Sequence, residues 1–196
     1  LALLAAPAHA QDSWVIGQSA PLSGANAAMG RDVRDGALAY FKSVNARGGV
    51  AGKPIELVTL DDVNDRKTAG ANTQALLQDK RAVALFGFAS ATLSLDAMPQ
   101  ADKAGTLFFA PLSGADPVRK APAVVYTMRA SYGEEMEKIL AFWTGLGMKK
   151  VVVVHYDDEV GKQNFAVVSA YLAKQSGTPP AALSLVHELV DAEFSR

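Results

Sequence analysis

The chain contains no cysteine, carries almost no net charge and lacks any long hydrophobic run. Without thiols, neither a disulfide framework nor a thiolate metal site can form. The 19 basic side chains are balanced by 20 acidic ones, and no basic run is longer than Lys149–Lys150. A nucleic-acid surface needs clustered Lys and Arg to displace the counterions of phosphate groups, and a membrane span needs roughly 20 apolar residues. We therefore expect a soluble globular protein without a nucleic-acid partner.

Motifs that carry catalysis are also absent from the sequence. It has no dinucleotide-binding, phosphate-loop, nucleophile-elbow or zinc-protease pattern. We interpret His9, His155 and His187 as packed or surface imidazoles and not as general bases. The acidic groups Asp61–Asp62 and Asp157–Glu159 lie where a strand passes into a helix, so helix capping explains them better than cation binding. We predict a protein that is not an enzyme and holds no metal and no cofactor.

The two ends of the chain suggest a targeting segment and a continuation. Residues 1–10, LALLAAPAHA, are small and apolar and end in Ala8-His9-Ala10, the small-x-small pattern of a signal-peptidase site. We interpret residues 1–10 as the remnant of a signal peptide and expect the protein to be exported. Residues Ala192–Arg196 resemble the start of a helix, so we expect the chain to continue.

Short β-branched runs alternate with longer amphipathic segments from residue 13 onward. The pattern predicts a first strand that begins at Val15–Gly17 and is broken by the loop at Pro21–Gly24. It predicts further strands at Ile55–Leu60, Val83–Phe86, Leu107–Ala110, Val124–Tyr126, Val151–His155 and Leu183–Leu189. It predicts helices at Gly30–Ala46, from an N-cap at Asp65 to Gln78, from the loop at 87–91 to Lys103, at Tyr132–Leu146 and at Gly161–Gln175. This alternation favours parallel pairing through right-handed crossovers, so the predicted fold class is α/β, with a doubly wound parallel sheet.

The strand–helix rhythm restarts after the fifth strand, near Thr127–Ser131. Five strands followed by a fresh start indicate two lobes, each a layered α/β structure. We assign residues 13–128 to a complete first lobe. Residues 129–196 are assigned to a hinge and an incomplete, truncated second lobe.

A ligand crevice is expected beyond the carboxyl ends of the strands, where the strand order reverses. In the first lobe these ends are the loops at 20–30, 61–66, 87–92 and 111–117. The loops with Ser23–Gly24 and with Ser90 and Thr92 offer hydroxyls and backbone N–H groups beside a helix N-terminus, which suits an anionic oxygen. Turn and capping chemistry explains these residues equally well. Arg129, near the lobe junction, fits either a clamp for a ligand carboxylate or an ion pair between lobes.

Four segments in this order resemble one family. They are the signal remnant, Pro21-Leu22-Ser23-Gly24, Asn45-Ala46-Arg47-Gly48-Gly49-Val50-Ala51-Gly52 and Asp61-Asp62. Together they resemble the periplasmic substrate-binding proteins of branched-chain amino-acid-type ABC transporters, with the type I periplasmic-binding fold of the leucine/isoleucine/valine-binding proteins. The segments Ala110–Ala115 and Arg129–Glu135 look like a divergent branch. The resemblance implies a periplasmic protein that captures a small solute between two lobes and delivers it to an inner-membrane ABC permease.

The resemblance also implies where the solute binds. In amino-acid-binding members, a hydroxyl and backbone N–H groups on the loop matching Ser90-Ala91-Thr92 hold the ligand carboxylate, together with backbone groups on the loop matching Leu112-Ser113-Gly114. Ala91 stands where the serine or threonine hydroxyl is usual, so a neighbouring hydroxyl would have to replace it. Both loops follow strands of one parallel sheet, so we expect them to face each other.

Two more residues complete the predicted ligand-binding set. Met29 stands in the position of an aromatic lid, and its adaptable thioether chain can cover an apolar ligand. Tyr132 opens the helix that follows the lobe junction. The solute itself stays open among amino acids, amides, urea-like compounds and aromatic acids.

An alternative function uses the same clamp as the extracytoplasmic, ligand-sensing domain of a signalling receptor. A DNA-binding regulator is disfavoured because the sequence has no helix-turn-helix and carries a signal remnant. An α/β-hydrolase or a dehydrogenase would need a nucleophile elbow or a dinucleotide loop, and neither occurs. A solute receptor of a transporter is the function that we expect first.

Overall fold

The computed structural model describes residues 13–120, 122–148, 150–157, 159–175 and 181–185. The predicted signal remnant at 1–10, the predicted helix start at 192–196 and positions 186–189 of the last predicted strand lie outside these ranges. The chain folds into two compact units. Of the described residues, the first unit contains those up to Ser113 and those of Pro117–Arg129, and the second contains Gly114–Asp116 and those from Ala130 onward.

A five-stranded parallel sheet forms the base of the first unit, in the order β2-β1-β3-β4-β5. Its strands are β1 Trp14–Ala20, β2 Ile55–Asp61, β3 Ala84–Phe86, β4 Leu107–Phe109 and β5 Val125–Tyr126. β1 and β2 pair along their whole length, from Trp14 opposite Ile55 to Ala20 opposite Asp61. The strand order reverses between β1 and β3, which is the topology of a doubly wound sheet. The predicted fold class is confirmed.

Helices on both faces cover this sheet. They are α1 Ala27–Ala46, α2 Arg66–Gln78 and α3 Ala91–Ala104. A four-residue helix, α4 Asp116–Arg119, follows β4 along the chain. α2 packs against α3 and β1, and α1 packs beside β2. As predicted, Asp65 caps α2, because its Oδ1 accepts a hydrogen bond of 2.8 Å from the N–H of Thr68.

The core lies between the sheet and the pair of helices α2 and α3. Leu76, Leu85, Phe88 and Phe108 are completely buried. The rings of Phe88 and Phe108 lie 4.9 Å apart between centroids at an angle of 51°, an arrangement that aromatic pairs favour. On the α1 side, an apolar groove of about 390 Å³ is lined by Ile16, Ala37, Tyr40, Phe41, Ala84, Phe86, Leu107 and Phe109. The two sets of side chains alternate along β3 and β4, as expected for a sheet that packs on both faces.

The second unit repeats the strand–helix pattern on a smaller scale. It contains α5 Tyr132–Gly145, β6 Val152–Tyr156, α6 Glu159–Gln175 and β7 Ala181–Leu185. β6 and β7 pair in parallel, and a cluster of Leu140, Val168 and Leu172 is buried between the helices and β6. α5 begins with a capping box, in which Ser131 and Glu134 exchange hydrogen bonds of 3.1 and 2.7 Å. No helix in the described ranges is both long and apolar enough to cross a membrane.

Several predicted boundaries were wrong for identifiable reasons. β1 begins at Trp14, one residue before the predicted start, and ends at Ala20, directly before the predicted break at Pro21–Gly24. Its two polar residues are buried and bonded: Gln18 accepts from the hydroxyl of Thr59 at 2.9 Å, and Ser19 donates to Asp62 at 3.0 Å. α1 begins at Ala27 and not at Gly30, since its first turn consists mostly of small residues that carry no apolar periodicity.

Three other differences concern short elements. β4 ends at Phe109 because Ala110 adopts a left-handed conformation with φ of 52°. α4 was missed because four residues are too few for a helical period. α6 begins at Glu159, two positions before the predicted Gly161, and β7 begins at Ala181 where Leu183 was predicted.

Two glycines of α1 allow a matched test of the packing between α1 and the loop before it. A Cβ on Gly30 would come 2.0 Å from the carbonyl oxygen of Pro21, whereas a Cβ on Gly36 would meet nothing within 4 Å. We expect Gly30→Ala to destabilise the protein by about 1–3 kcal/mol and Gly36→Ala to stabilise it by roughly 0.5–1 kcal/mol. The free energy of unfolding in urea measures both. Equal effects at the two positions would contradict the close approach of Gly30 to Pro21.

Candidate functional site

The carboxyl ends of the five strands meet at one edge of the sheet, because all the strands are parallel. Loops leave β1, β2, β3 and β4 at this edge, at positions 21–26, 62–65, 87–90 and 110–115. The strand order reverses between β1 and β3, so loops 21–26 and 87–90 flank the switch point. This is the usual place of a ligand crevice in such sheets, and it is the candidate site.

Asp61, the last residue of β2, holds the loop that follows β1. Its carboxylate accepts hydrogen bonds from the N–H of Leu22 at 2.8 Å, from the hydroxyl of Ser23 at 2.6 Å and from the N–H of Val63 at 2.9 Å. These bonds, led by the one from Ser23, lower the pKa of Asp61 from its ordinary value of 3.8 to about 2. The prediction that Asp61 serves in helix capping was wrong, because its acceptors are used by loop 21–26 and by Val63.

The other acidic residues of this region also have structural partners. Asp62 is fully buried and accepts from Ser19 at 3.0 Å and from the N–H of Asn64 at 2.9 Å. Burial raises the pKa of Asp62. In the second unit, Asp157 pairs with Lys162 at 2.9 Å, which lowers the pKa of Asp157. No group of three or more histidine or acidic side chains suited to a metal ion occurs in the part of the chain that the structure describes.

The loop between β3 and α3 places a helix N-terminus at the candidate site. Gly87 is buried with a φ of +63°, a conformation that favours glycine. Ser90 is the N-cap of α3, but its side chain makes no capping hydrogen bond. Its carbonyl oxygen accepts from the N–H and the hydroxyl of Ser94 at 3.0 and 2.7 Å. The hydroxyl of Ser90 is therefore not committed to capping.

Two of the predicted ligand residues lie in the helix and not in the loop. Ala91 and Thr92 are the first two residues of α3, where backbone N–H groups have no partner within the helix. Thr92 is exposed, and Ala91 is half-buried. The boundary differs from the predicted one by a single residue. It puts the Ser90–Thr92 segment at the positive end of the α3 dipole.

The loop after β4 is bonded directly to the loop after β3. The N–H of Leu112 donates to the carbonyl oxygen of Phe88 at 2.9 Å, and β3 and β4 are neighbouring parallel strands. Ser113 is 2% exposed, and Gly114 is buried. The prediction that the two loops follow adjacent strands of one parallel sheet is confirmed, and that Ser90–Thr92 and Leu112–Gly114 face each other stays a prediction. That they bind a solute stays a prediction.

The same loop contacts the segment that enters α5. The N–H of Tyr132 donates to the carbonyl oxygen of Gly114 at 2.7 Å. Arg129 donates from Nη1 to the carbonyl oxygen of Leu112 at 3.2 Å. This backbone partner of Arg129 was missed, because the sequence suggested only a ligand carboxylate or an acidic side chain.

Met29 lies on the other side of the switch point from loop 87–90, because α1 follows the loop after β1. It is in the first turn of α1 and is 44% exposed. The hydrogen bond from Leu112 to Phe88 joins the loops after β3 and β4, and Met29 takes no part in it. Its predicted role as a lid stays a prediction.

Sequence reasoning overlooked Gln18, a buried amide beside the switch point. Its side chain accepts from Thr59 and lies beside Gly87, where an added Cβ would come 3.1 Å from Nε2. Among the residues that the structure describes, none accepts a hydrogen bond from Nε2. A polar side chain in the central strand of a parallel sheet is the signal that could have indicated it.

The low pKa of Asp61 makes the contribution of its hydrogen bonds with loop 21–26 to stability depend on pH in the acid range. A carboxylate whose pKa is lowered by folding stabilises the folded protein above its ordinary pKa of 3.8, and this contribution is lost as the pH falls to about 2. We expect Asp61→Asn to lower the free energy of unfolding at pH 5 and to lower it much less near pH 2. Urea unfolding of both proteins across this range measures the difference. A difference that does not change with pH would contradict the assignment.

Comparisons with known proteins agree with this architecture. The family described as "Periplasmic binding protein" matches residues 13–196. An amino acid binding protein of Pseudomonas aeruginosa is 30% identical over 157 residues, which are 79% of this chain and 42% of that protein. A substrate-binding periplasmic protein from Ralstonia solanacearum has a TM-score of 0.83 at 26% identity, covering 94% of this chain and 52% of that one. A possible leucine/isoleucine/valine-binding protein from Rhodopirellula baltica has a TM-score of 0.80 at 25% identity, covering 90% and 50%.

These matches extend over nearly all of the described residues, although the chain spans only about half the length of the relatives. They include both the five-stranded sheet and the strand–helix units that follow it. The family resemblance predicted from the sequence is confirmed. The chain belongs to the periplasmic binding protein family, as a type I member of the group that resembles the leucine/isoleucine/valine-binding proteins.

Proposed function

We propose that the protein captures a small solute between two lobes and delivers it to the inner-membrane permease of an ABC transporter, without converting it. The observation that carries this proposal is the bonded pair of loops beside the switch point. The loops after β3 and β4 share the hydrogen bond from Leu112 to Phe88. They stand where open parallel sheets bind their ligands.

The chemistry of these loops suits a carboxylate or another oxygen acceptor. The first turn of α3 supplies backbone N–H groups that have no partner within the helix, and the positive end of a helix dipole. Ser90, Thr92 and Ser113 supply hydroxyls around the position where Ala91 has none. An amino acid, or a related amide or carboxylate, is therefore the solute class that we propose.

The location proposed for this function is the periplasm. Family membership supports an extracytoplasmic protein, and the small-residue pattern of positions 1–10 supports export by a signal peptide that is then removed. Delivery to a permease is the role that fits such a receptor.

A thermal-shift series tests the proposed binding. The intact protein is heated with L-leucine, acetamide, urea or benzoate, one from each chemical class left open. A solute present at 100 times its dissociation constant should stabilise the folded state by about 2.7 kcal/mol. Mass spectrometry after prolonged incubation with the stabilising compound should return it unchanged. Stabilisation by none of the four, or steady conversion of one of them, would overturn the proposal.

Two substitutions test the hydroxyls of the candidate site. Thr92→Val and Ser113→Ala should each weaken binding of the stabilising compound by roughly 1–3 kcal/mol if the hydroxyl contacts it in a desolvated pocket. Isothermal titration calorimetry measures the affinity. Ser43→Ala is the control, because Ser43 is exposed in the last part of α1 and bonds only locally to Arg47 in the described contacts. Unchanged affinity in both variants would mean that other groups bind the solute.

A further inference from the structure

We propose that Arg129 is a positioning residue of the solute site. It ties the loop at 112–114 to the segment that connects the two units and thereby sets how strongly the solute is held. Because the solute site is itself proposed, this inference rests on the proposed function. The tie between Arg129 and the loop can nevertheless be measured without any solute.

The loop at 112–114 is one of the places where the chain passes between the units. The chain leaves the first unit after Ser113, returns at Pro117 and leaves again after Arg129. The β4–α4 loop and the segment 129–132 are therefore both connecting segments. A solute that contacts Ser113 or Gly114 contacts the connection itself.

Two hydrogen bonds join these connecting segments, one within each unit. In the first unit, Arg129 donates from Nη1 to the carbonyl oxygen of Leu112 at 3.2 Å. In the second unit, the N–H of Tyr132 donates to the carbonyl oxygen of Gly114 at 2.7 Å. The two bonds lie on either side of Ser113, so they fix the backbone on both sides of the one hydroxyl in this loop.

The approach of the two segments is as close as the backbone allows. A Cβ on Gly114 would lie 2.7 Å from the carbonyl oxygen of Ala130 and 2.9 Å from the ring of Tyr132. Glycine is therefore required at this position, and the loop cannot shift towards the connecting segment. Loss of the Arg129 bond would remove one of the hydrogen bonds that hold this loop at Leu112.

Arg129 is itself held in place through its backbone. Arg119, the last residue of α4, donates from Nη1 to the carbonyl oxygen of Arg129. The series Arg119, Arg129 and Leu112 thus links α4 to the loop through two guanidinium-to-carbonyl bonds. Bonds from a charged donor are stronger than neutral ones, and the long arginine side chain carries several N–H groups that can reach a carbonyl oxygen.

The test compares Arg129→Met with a matched variant of another arginine. Arg129→Met keeps an unbranched stem and removes the donor. The control is Arg31→Met, because Arg31 is also exposed and donates from Nε to a loop carbonyl, that of Leu22, at 3.0 Å. Amide hydrogen exchange of the peptide spanning 110–116 is measured by mass spectrometry in the intact protein without solute. Affinity for L-leucine and benzoate is measured by titration calorimetry.

We expect Arg129→Met to lose exchange protection in 110–116 and to bind whichever probe the wild type binds about fivefold to tenfold more weakly. Arg129→Lys, which keeps a charged donor, should restore part of the protection. Arg31→Met should leave exchange in 110–116 unchanged.

The exchange measurement separates this role from that of a direct carboxylate clamp. A clamp that touches only the solute would weaken binding without changing exchange in the solute-free protein, and that result would overturn the proposal. Faster exchange with unchanged affinity would overturn it as well. If the wild type binds neither probe, the proposed solute class fails, whereas the exchange result still decides whether Arg129 holds the loop.

Discussion

Parallel pairing of the five strands is the constraint on which the first unit depends. It brings four loops to one edge of the sheet, where their backbone groups need partners that the strands do not supply. The loops satisfy one another: Asp61 accepts from Leu22 and Ser23, and Phe88 accepts from Leu112. The candidate site is thus a consequence of sheet topology, because the bonds that stabilise the edge also set the positions of the loops around the switch point.

The parts of the fold that follow from local patterns were predictable. Runs such as Val151–Val154 and the N-cap at Asp65 need only neighbouring residues to be recognised. The partners of the two polar residues in β1 were not predictable in this way. Gln18 and Ser19 are tolerated in the strand because they bond to Thr59 and Asp62. These partners lie 41 and 43 positions away along the chain, so a local pattern contains no information about them.

The candidate site, too, was predictable only in part. Its loops follow from the order of the elements, and the resemblance supplied the segments Ser90–Thr92 and Leu112–Gly114. The hydrogen bonds that hold these loops could not be predicted, because each joins a side chain to a backbone group. Asp61 bonds to the backbone of Leu22, and Arg129 bonds to the backbone of Leu112. Backbone groups are identical in every residue, so side-chain identity cannot indicate which of them an acidic or basic residue will meet.

The position of the loop at 112–114 limits which substitutions this loop can accept. Its backbone is bonded to β3–α3 through Leu112 and to the segment entering α5 through Gly114, so one short loop serves both the proposed solute site and the connection between the units. A substitution there alters both at once. Thr92 and Met29 take no part in these bonds and are both exposed, so substitutions at these two predicted ligand positions should leave the hydrogen bonds of the connecting loop intact.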